Sequence, residues 1–258
     1  MHNYRGSLVE LSGKGHVLII TDIHGNWSDF NKFINIWDDF KGNNNHLVIT
    51  GDFIHSMGLV EDKSIEVLEQ IQYQFESDQN FHVLLGNHEW SLISSVVLFK
   101  NRENLSFKFE NLLKKRFPGS WKEKLEIYIK FFKKLPVAVK TNNKVFISHS
   151  GPSKNIKSIE DIINISDSGY VENKILEEFL WNRYGDYNLT DIDNFLKKVD
   201  CRAMVVGHTP VDGAKLVGKK QLIISSSYTG GSKAYLILDL EKKINDATDL
   251  MKMVKFLD

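Results

Sequence analysis

A single cysteine, Cys201, is all that the 258 residues offer, which excludes an intramolecular disulfide framework and a zinc site built from several thiolates. Net charge is missing as well, with 33 basic residues against 33 acidic ones. Long apolar runs are absent: none approaches the roughly 20 residues that a bilayer requires. The opening Met1-His2-Asn3-Tyr4-Arg5 lacks the charged region followed by an apolar one that marks an export signal, so the expected compartment is the cytoplasm. What is present is ordinary. Hydrophobic residues at 42% and charged residues at 26% exclude collagen-like, disordered and coiled-coil chains, and the length suits one sizeable domain with its own core, spanning 1–258.

The first 90 residues repeat one pattern, in which a short apolar run ends at a polar, glycine-containing string and a helical stretch follows. His16 to Thr21 ends in Asp22-Ile23-His24-Gly25-Asn26, after which Trp27, Phe30, Ile34 and Trp37 recur at helical spacing. Leu47 to Thr50 ends in Gly51-Asp52, followed by Ile65, Leu68, Ile71 and Phe75. Phe81 to Leu85 ends in Gly86-Asn87-His88-Glu89. A spacing of about 30 to 35 residues is that of a strand, crossover helix and strand, which predicts an α/β fold opening with parallel strands. Lys144 to Ser148, ending in His149-Ser150-Gly151, and Ala203 to Val206, ending in Gly207-His208-Thr209-Pro210, follow the same grammar. Ala234 to Leu238 reads as a last core strand with Gln221 to Ser225 paired antiparallel beside it, and the tail from Asp246 to Asp258 reads equally as strand or short helix.

The stretch from about 100 to 134 breaks this pattern. It carries a net charge of +7, which leaves about −7 for the remainder. Two amphipathic helices separated by Pro118-Gly119 are predicted, as an insertion within the single domain. Phe107, Phe109, Phe117, Trp121 and Tyr128 are available to stack on nucleic acid, although lysines along such helices more often form a solvated face while the aromatics pack inward.

In sheets of this kind ligands gather beyond the carboxyl ends of the strands. Five such ends supply Asp22, His24, Asp52, Asn87, His88, His149 and His208, the carboxylate, imidazole and amide set that suits a borderline divalent metal. Asp22 and His24, two residues apart on an extended strand end, are expected to point the same way. His16, His46 and His82 begin their runs and therefore belong at the opposite edge of the sheet.

These strings resemble the calcineurin-like metallophosphoesterase superfamily, particularly its phosphoprotein-phosphatase branch, over residues 16 to about 240. The resemblance rests on Asp22-Ile23-His24-Gly25, Gly51-Asp52, Gly86-Asn87-His88-Glu89, His149 and His208. It implies two packed mixed β-sheets flanked by helices, with a two-metal centre at the strand ends. Asp22, His24 and Asp52 would hold the first ion and Asp52, Asn87, His149 and His208 the second, with Asp52 bridging. Two ions roughly 3.5 to 4 Å apart acidify a bridging water, whose hydroxide attacks phosphorus. His88 would serve as general acid toward the leaving group, the other reading of that imidazole being a further metal ligand. Manganese is the expected metal, and iron and zinc accept the same donors.

Arg183, in Leu180-Trp181-Asn182-Arg183, is similar to a short string that supplies a phosphate clamp in bacterial and phage members of the branch. The other reading is a surface ion pair with Asp186 or a neighbour. The branch usually continues its second string as Gly-Asp-x-Val-Asp-Arg-Gly, and here Gly51-Asp52-Phe53-Ile54-His55-Ser56-Met57-Gly58 stands instead. His55 replaces the aspartate that orients the acid histidine, and Ser56 replaces a phosphate-binding arginine. The expected function is a phosphomonoesterase acting on a phosphorylated protein, nucleotide or small molecule, favouring leaving groups that need little protonation. A dinucleoside polyphosphate hydrolase and a non-catalytic scaffold are the alternatives. No membrane partner is expected, and nucleic acid is the lesser reading of the basic insertion.

Overall fold

The computed structural model describes residues 4–59, 61–100 and 102–257. Strands β1 (Leu8–Leu11) and β2 (His16–Ile20) precede helix α1 (Trp27–Phe40), and β3 (His46–Ile49), α2 (Ser64–Ser77) and β4 (Phe81–Val83) continue the alternation. Helix α3 (Asn87–Ser94) leads into a hairpin of β5 (Phe99–Lys100) and β6 (Glu103–Asn104), then α4 (Leu105–Arg116) and α5 (Trp121–Phe132). Strands β7 (Ala138–Thr141) and β8 (Val145–Ser148) are followed by α6 (Ile159–Ile163), α7 (Lys174–Trp181) and α8 (Leu189–Lys198). The chain ends with β9 (Ala203–Val206), β10 (Ala214–Val217), β11 (Gln221–Ile224), β12 (Ala234–Asp239), α9 (Ala247–Met251) and β13 (Val254–Phe256).

These strands form two mixed sheets. One has six strands in the order β1-β7-β8-β9-β11-β10, the other five in the order β13-β12-β2-β3-β4. The parallel start is present, with β2, β3 and β4 in register side by side.

Side-chain alternation shows how the layers stack. In β2, Val17 and Ile19 belong to one core cluster and Leu18 and Ile20 to the other. In β8, Val145 and Ile147 are likewise separated from Phe146. Since successive residues of a strand face opposite ways, Val17, Ile19, Val145 and Ile147 fill the space between the sheets, and the other faces pack under helices. A strand covered on both faces reads as an unbroken apolar run, as His16–Ile20 does. Each such Val, Leu or Ile contributes about 1.5–3 kcal/mol by leaving water.

One predicted pairing is corrected. Gln221–Ile224 lies in the six-stranded sheet, parallel to β9 and antiparallel to β10, whereas β12 pairs antiparallel with β2 and β13 in the other sheet. All four side chains of β11 are buried, so its pattern cannot tell one sheet from the other. The intervening Ser225–Lys233 stretch crosses between them, tied by the Ala234 N–H to the Ser225 carbonyl at 2.8 Å. The tail is both of its alternatives, a short helix and then a strand; Asp258 lies outside the described residues.

Helices α4 and α5 occupy the predicted positions. Phe109, Leu113, Tyr128, Phe131 and Phe132 are buried in the main core, and Lys114 reaches Glu110 at 3.1 Å and lies 4.6 Å from the Trp121 ring centre. Of the five aromatics named for stacking, Phe109 and Tyr128 thus pack inward, while Phe117 and Trp121 are half-buried and Phe107 is exposed. Among the described residues, no helix is long and apolar enough to cross a membrane.

Candidate metal centre

Polar loops leave the carboxyl ends of β2, β3 and β4 in one sheet and of β8 and β9 in the other, and they meet at one end of the sandwich. The loop after β2 carries Asp22 and His24, and Asn26 then caps α1 by accepting the Asp29 N–H at 3.2 Å. The convergence of Asp22 and His24 does not come from an extended strand end. Their φ angles are +31° and +47°, and Asp52, His55 and His208 are left-handed too, at +54°, +63° and +61°. Non-glycine residues in this region cost of order 1–3 kcal/mol each, and Asp22, His24, Asp52 and His208 all line one cavity.

Two backbones approach each other beneath that volume. A Cβ on Gly86 would lie 2.3 Å from both the Asp52 nitrogen and Asp52 Oδ1, and one on Gly51, whose φ is +103°, would lie 2.5 Å from the Gly86 nitrogen. Only glycine allows the two turns to touch. The fully buried Glu89 fastens them, accepting the N–H groups of Asp52 (2.8 Å), Phe53 (3.0 Å), Ile54 (3.2 Å) and Gly86 (3.2 Å). The His88 N–H donates to Asp52 Oδ1 at 3.0 Å. Gly86→Ala should therefore weaken divalent-ion affinity by about 10- to 100-fold, as loss of a supporting contact around a ligand does, with the far-UV circular dichroism retained. Titration of both proteins with manganese checks this, and equal affinities would contradict it.

The donors converge tightly. His24 Nε2, His88 Nε2 and His149 Nε2 lie 3.9, 3.8 and 3.5 Å from Asp52 Oδ2. Two triads, His24–Asp52–His88 and Asp52–His149–His208, each place their donor atoms within 4.8 Å of one another and could each hold an ion. Asp22 stands beside them, both carboxylate oxygens accepting the His208 N–H at 3.1 and 2.9 Å.

The ring orientations are set from behind. His24 Nδ1 meets the Ile54 carbonyl at 3.2 Å and His149 Nδ1 the Thr50 carbonyl at 3.0 Å, which places the proton on Nδ1 and leaves each Nε2 lone pair facing the cluster. Inside it, the terminal amide atom of Asn87 lies 3.0 Å from Asp52 Oδ2, 3.0 Å from His149 Nε2 and 3.1 Å from His208 Nδ1. With the amide oxygen turned inward, four lone-pair donors crowd one point and a cation satisfies them all. The residues thus fit divalent metal.

Electrostatics agrees with the crowding. Burial pushes the His24 imidazole down to about 3 and holds His88 and His208 well below the usual histidine range, with His149 lowered as well. Neutral imidazole is the form that ligates. Burial raises the Asp22 carboxyl, and burial together with the Asp22 charge raises Asp52 well above its ordinary range. A bound cation reverses the effect on both carboxylates.

The cluster floors a cavity of about 560 Å³. Arg183 lines it and its positive charge acts on Asp22, Asp52 and His149. Its tie to Asp186 runs through the backbone, the Arg183 N–H donating to Asp186 Oδ2 at 2.8 Å. His55 meets His88 directly, Nδ1 to Nδ1, at 3.0 Å. Burial drives His55 down to about 3, so a second neutral imidazole supports His88 where a carboxylate would stabilise its charged form.

Two features of the site were not anticipated from the sequence. Ser225 to Thr229 form one wall, and the signal was available, since Gln221–Ile224 ends in a polar, glycine-containing string like the other five runs. Lys100 forms another, and nothing in its own sequence surroundings distinguishes it from the other lysines of the insertion. His16, His46 and His82 stay at the amino ends of β2, β3 and β4, where His46 Nδ1 meets His82 Nε2 at 3.1 Å.

Comparison with known proteins completes this picture. Residues 15–212 match the family model of calcineurin-like phosphoesterases. A curated relative from Encephalitozoon cuniculi, named as a probable serine/threonine-protein phosphatase, is 26% identical over 257 residues, covering 90% of this chain and 52% of its own length. The chain thus spans about half the length of that relative. A protein serine/threonine phosphatase structure from Saccharomyces cerevisiae superposes with a TM-score of 0.70 at 16% identity, covering 98% of this chain and 84% of its own. A cold-active protein-tyrosine phosphatase from Shewanella gives 0.65 at 15% identity, covering 100% and 85%. The two superpositions establish the sandwich of two mixed sheets, and the family match spans the five loops that carry the clustered donors, from Asp22 to His208. With its ordered strings, its sandwich and its clustered donors, the chain belongs to the calcineurin-like phosphoesterase family.

Proposed function

We propose that this chain is a two-metal phosphomonoesterase. The observation that carries the reading is the inward crowd of Asp52, Asn87, His149 and His208, joined through Asp52 to His24 and flanked by Asp22. Asp22, His24 and Asp52 would hold one ion, and Asp52, Asn87, His149 and His208 the other, manganese filling both. Two ions there would acidify a water and neutralise charge on phosphate oxygens.

The rest falls to the chain's own side chains. Arg183 supplies a guanidinium fork that matches two phosphate oxygens. His88, carried on the first turn of α3 beside Asn87, lines the same cavity, which supports a role toward the leaving-group oxygen. The imidazole of His55 behind it favours substrates whose leaving group departs with little protonation. Phosphate esters of phenols meet that condition, and so do phosphoanhydrides, which is why a dinucleoside polyphosphate is the second substrate class.

The test is turnover by the manganese-loaded protein of p-nitrophenyl phosphate, a phosphoserine peptide and a dinucleoside tetraphosphate. Fastest hydrolysis of the aryl monoester, abolished by a chelator, is expected. Preference for the tetraphosphate would move the assignment to the anhydride reading, and no turnover with metal bound would make the chain a scaffold.

A further inference from the structure

Two cationic side chains line the cavity above the donor cluster among the described residues, Arg183 and Lys100. They come from different parts of the chain. Arg183 follows α7, while Lys100 sits on β5 of the short hairpin that opens the basic insertion.

The hairpin is fastened at its root. The Leu105 N–H donates to the Leu98 carbonyl at 2.9 Å, and the Leu98 N–H to Ser106 Oγ at 3.2 Å. Glu103 lies directly across from Lys100 in the strand register, yet its carboxylate is taken by Lys108 at 2.6 Å. Among the described residues the Lys100 ammonium therefore has no ion-pair partner of its own. Its charge acts instead on the floor of the cavity, on His24 and Asp52. Arg183 acts on the same floor, on Asp22, Asp52, His149 and His208.

Two cations on one cavity repel each other: burial first and then the Arg183 charge lower Lys100, against the pull of Asp52 and Asp22. An anion between them turns that repulsion into two attractions. The wall formed by Ser56, Met57 and Gly58 carries no charge, and Glu103, which also lines the cavity, is paired with Lys108, so Lys100 and Arg183 are the positive charges the cavity offers a phosphate, beside the hydroxyls of the Ser225–Thr229 wall.

We propose that Lys100 is a substrate-binding residue, its ammonium contacting the phosphoryl oxygens from the hairpin wall of the cavity that it shares with Arg183. A lysine suits this place because three rotatable N–H donors on a flexible stem can follow a phosphate whose attached group varies. The hairpin would in this way bring one positive charge of the insertion into the site, the other lysines staying on the solvated face.

This assignment rests on the phosphoesterase reading, and the experiment separates the two. Affinity of the manganese-loaded protein for inorganic phosphate is measured by calorimetry, alongside kcat and KM for p-nitrophenyl phosphate, in wild type, Lys100→Met, Lys100→Arg and Lys122→Met. Loss of one charge-assisted hydrogen bond predicts phosphate binding about 10- to 100-fold weaker in Lys100→Met, with KM raised in parallel and kcat changed by less than about fivefold, the pattern of lost uniform binding. Lys100→Arg should restore most of the affinity, and Lys122→Met, on the exposed face of α5, should match wild type. Phosphate affinity unchanged in Lys100→Met would overturn the proposal, as would equal losses in Lys100→Met and Lys122→Met, which would mean a general field of the insertion. If Lys100 only balances the buried carboxylates, Lys100→Met tightens manganese and leaves phosphate alone, which also overturns it. A wild-type protein that binds phosphate without hydrolysing the ester defeats the phosphoesterase reading while the binding comparison still judges Lys100.

Discussion

Asp52→Asn should lower turnover of an aryl phosphomonoester by at least about 10²-fold, the scale on which removing one preorganised electrostatic contact acts in an active site. It should do more damage than Asp22→Asn. Asp52 Oδ2 is within 3.5 to 3.9 Å of three imidazole nitrogens drawn from both donor triads, and Asp52 is the residue those triads share. Asp22 stands to one side, held by the His208 N–H. Removing the shared charge weakens both positions, whereas Asp22→Asn weakens one. The amide remains isosteric, so the His88 N–H still finds an oxygen or moves slightly, and folding is spared. Activity of Asp52→Asn within tenfold of wild type, with Asp22→Asn inactive, would show that the shared position belongs elsewhere.

His88→Asn should divide substrates by leaving group. An alkoxide such as that of serine needs a proton in the transition state, worth about 10²- to 10⁴-fold from a well-placed donor, while nitrophenolate leaves without one. The alkyl phosphate should therefore lose far more than the aryl phosphate. His55 makes the second half of the test. Its Nδ1 lies 3.0 Å from His88 Nδ1 and burial keeps it neutral, so His55→Asp puts a carboxylate where it stabilises the imidazolium and should raise alkyl-phosphate turnover with little change on the aryl ester. The neighbouring carboxylates are already engaged: Asp62 accepts the Ser64 N–H at 2.9 Å and Glu61 pairs with Lys63 at 2.6 Å. Equal losses on the two esters for His88→Asn would remove the general-acid role, and no gain for His55→Asp would mean that His88 takes its proton by another route.

The site was more legible than the sheets that build it. Asp22, His24, Asp52, Asn87, His88, His149 and His208 all follow apolar runs, and that placement survives any error in strand pairing because the carboxyl ends of parallel strands lie together. The reason for the Asp22 and His24 alignment was not legible, since left-handed φ at an aspartate and a histidine is imposed by the surrounding structure. Strand β1 pairs with β7 across most of the first half of the chain, a contact that no local pattern encodes. That strand β11 pairs with β9 and not with β12 was not legible either, because both of its faces are buried and its residue pattern would suit either sheet. Lys100 was hidden among the other basic residues of its segment, for only the hairpin turn and the Glu103–Lys108 pair separate it from a solvated lysine.

The central claim is that this constellation holds two divalent ions and that they are needed for phosphoester hydrolysis. Calorimetric titration of the chelator-stripped protein with manganese, with p-nitrophenyl phosphate turnover followed on the same samples, tests it directly. Two ions bound per chain are predicted, with activity rising only as the second position fills and vanishing when chelator is added back. One ion or none bound at saturating manganese, or full activity in the stripped protein, would contradict it.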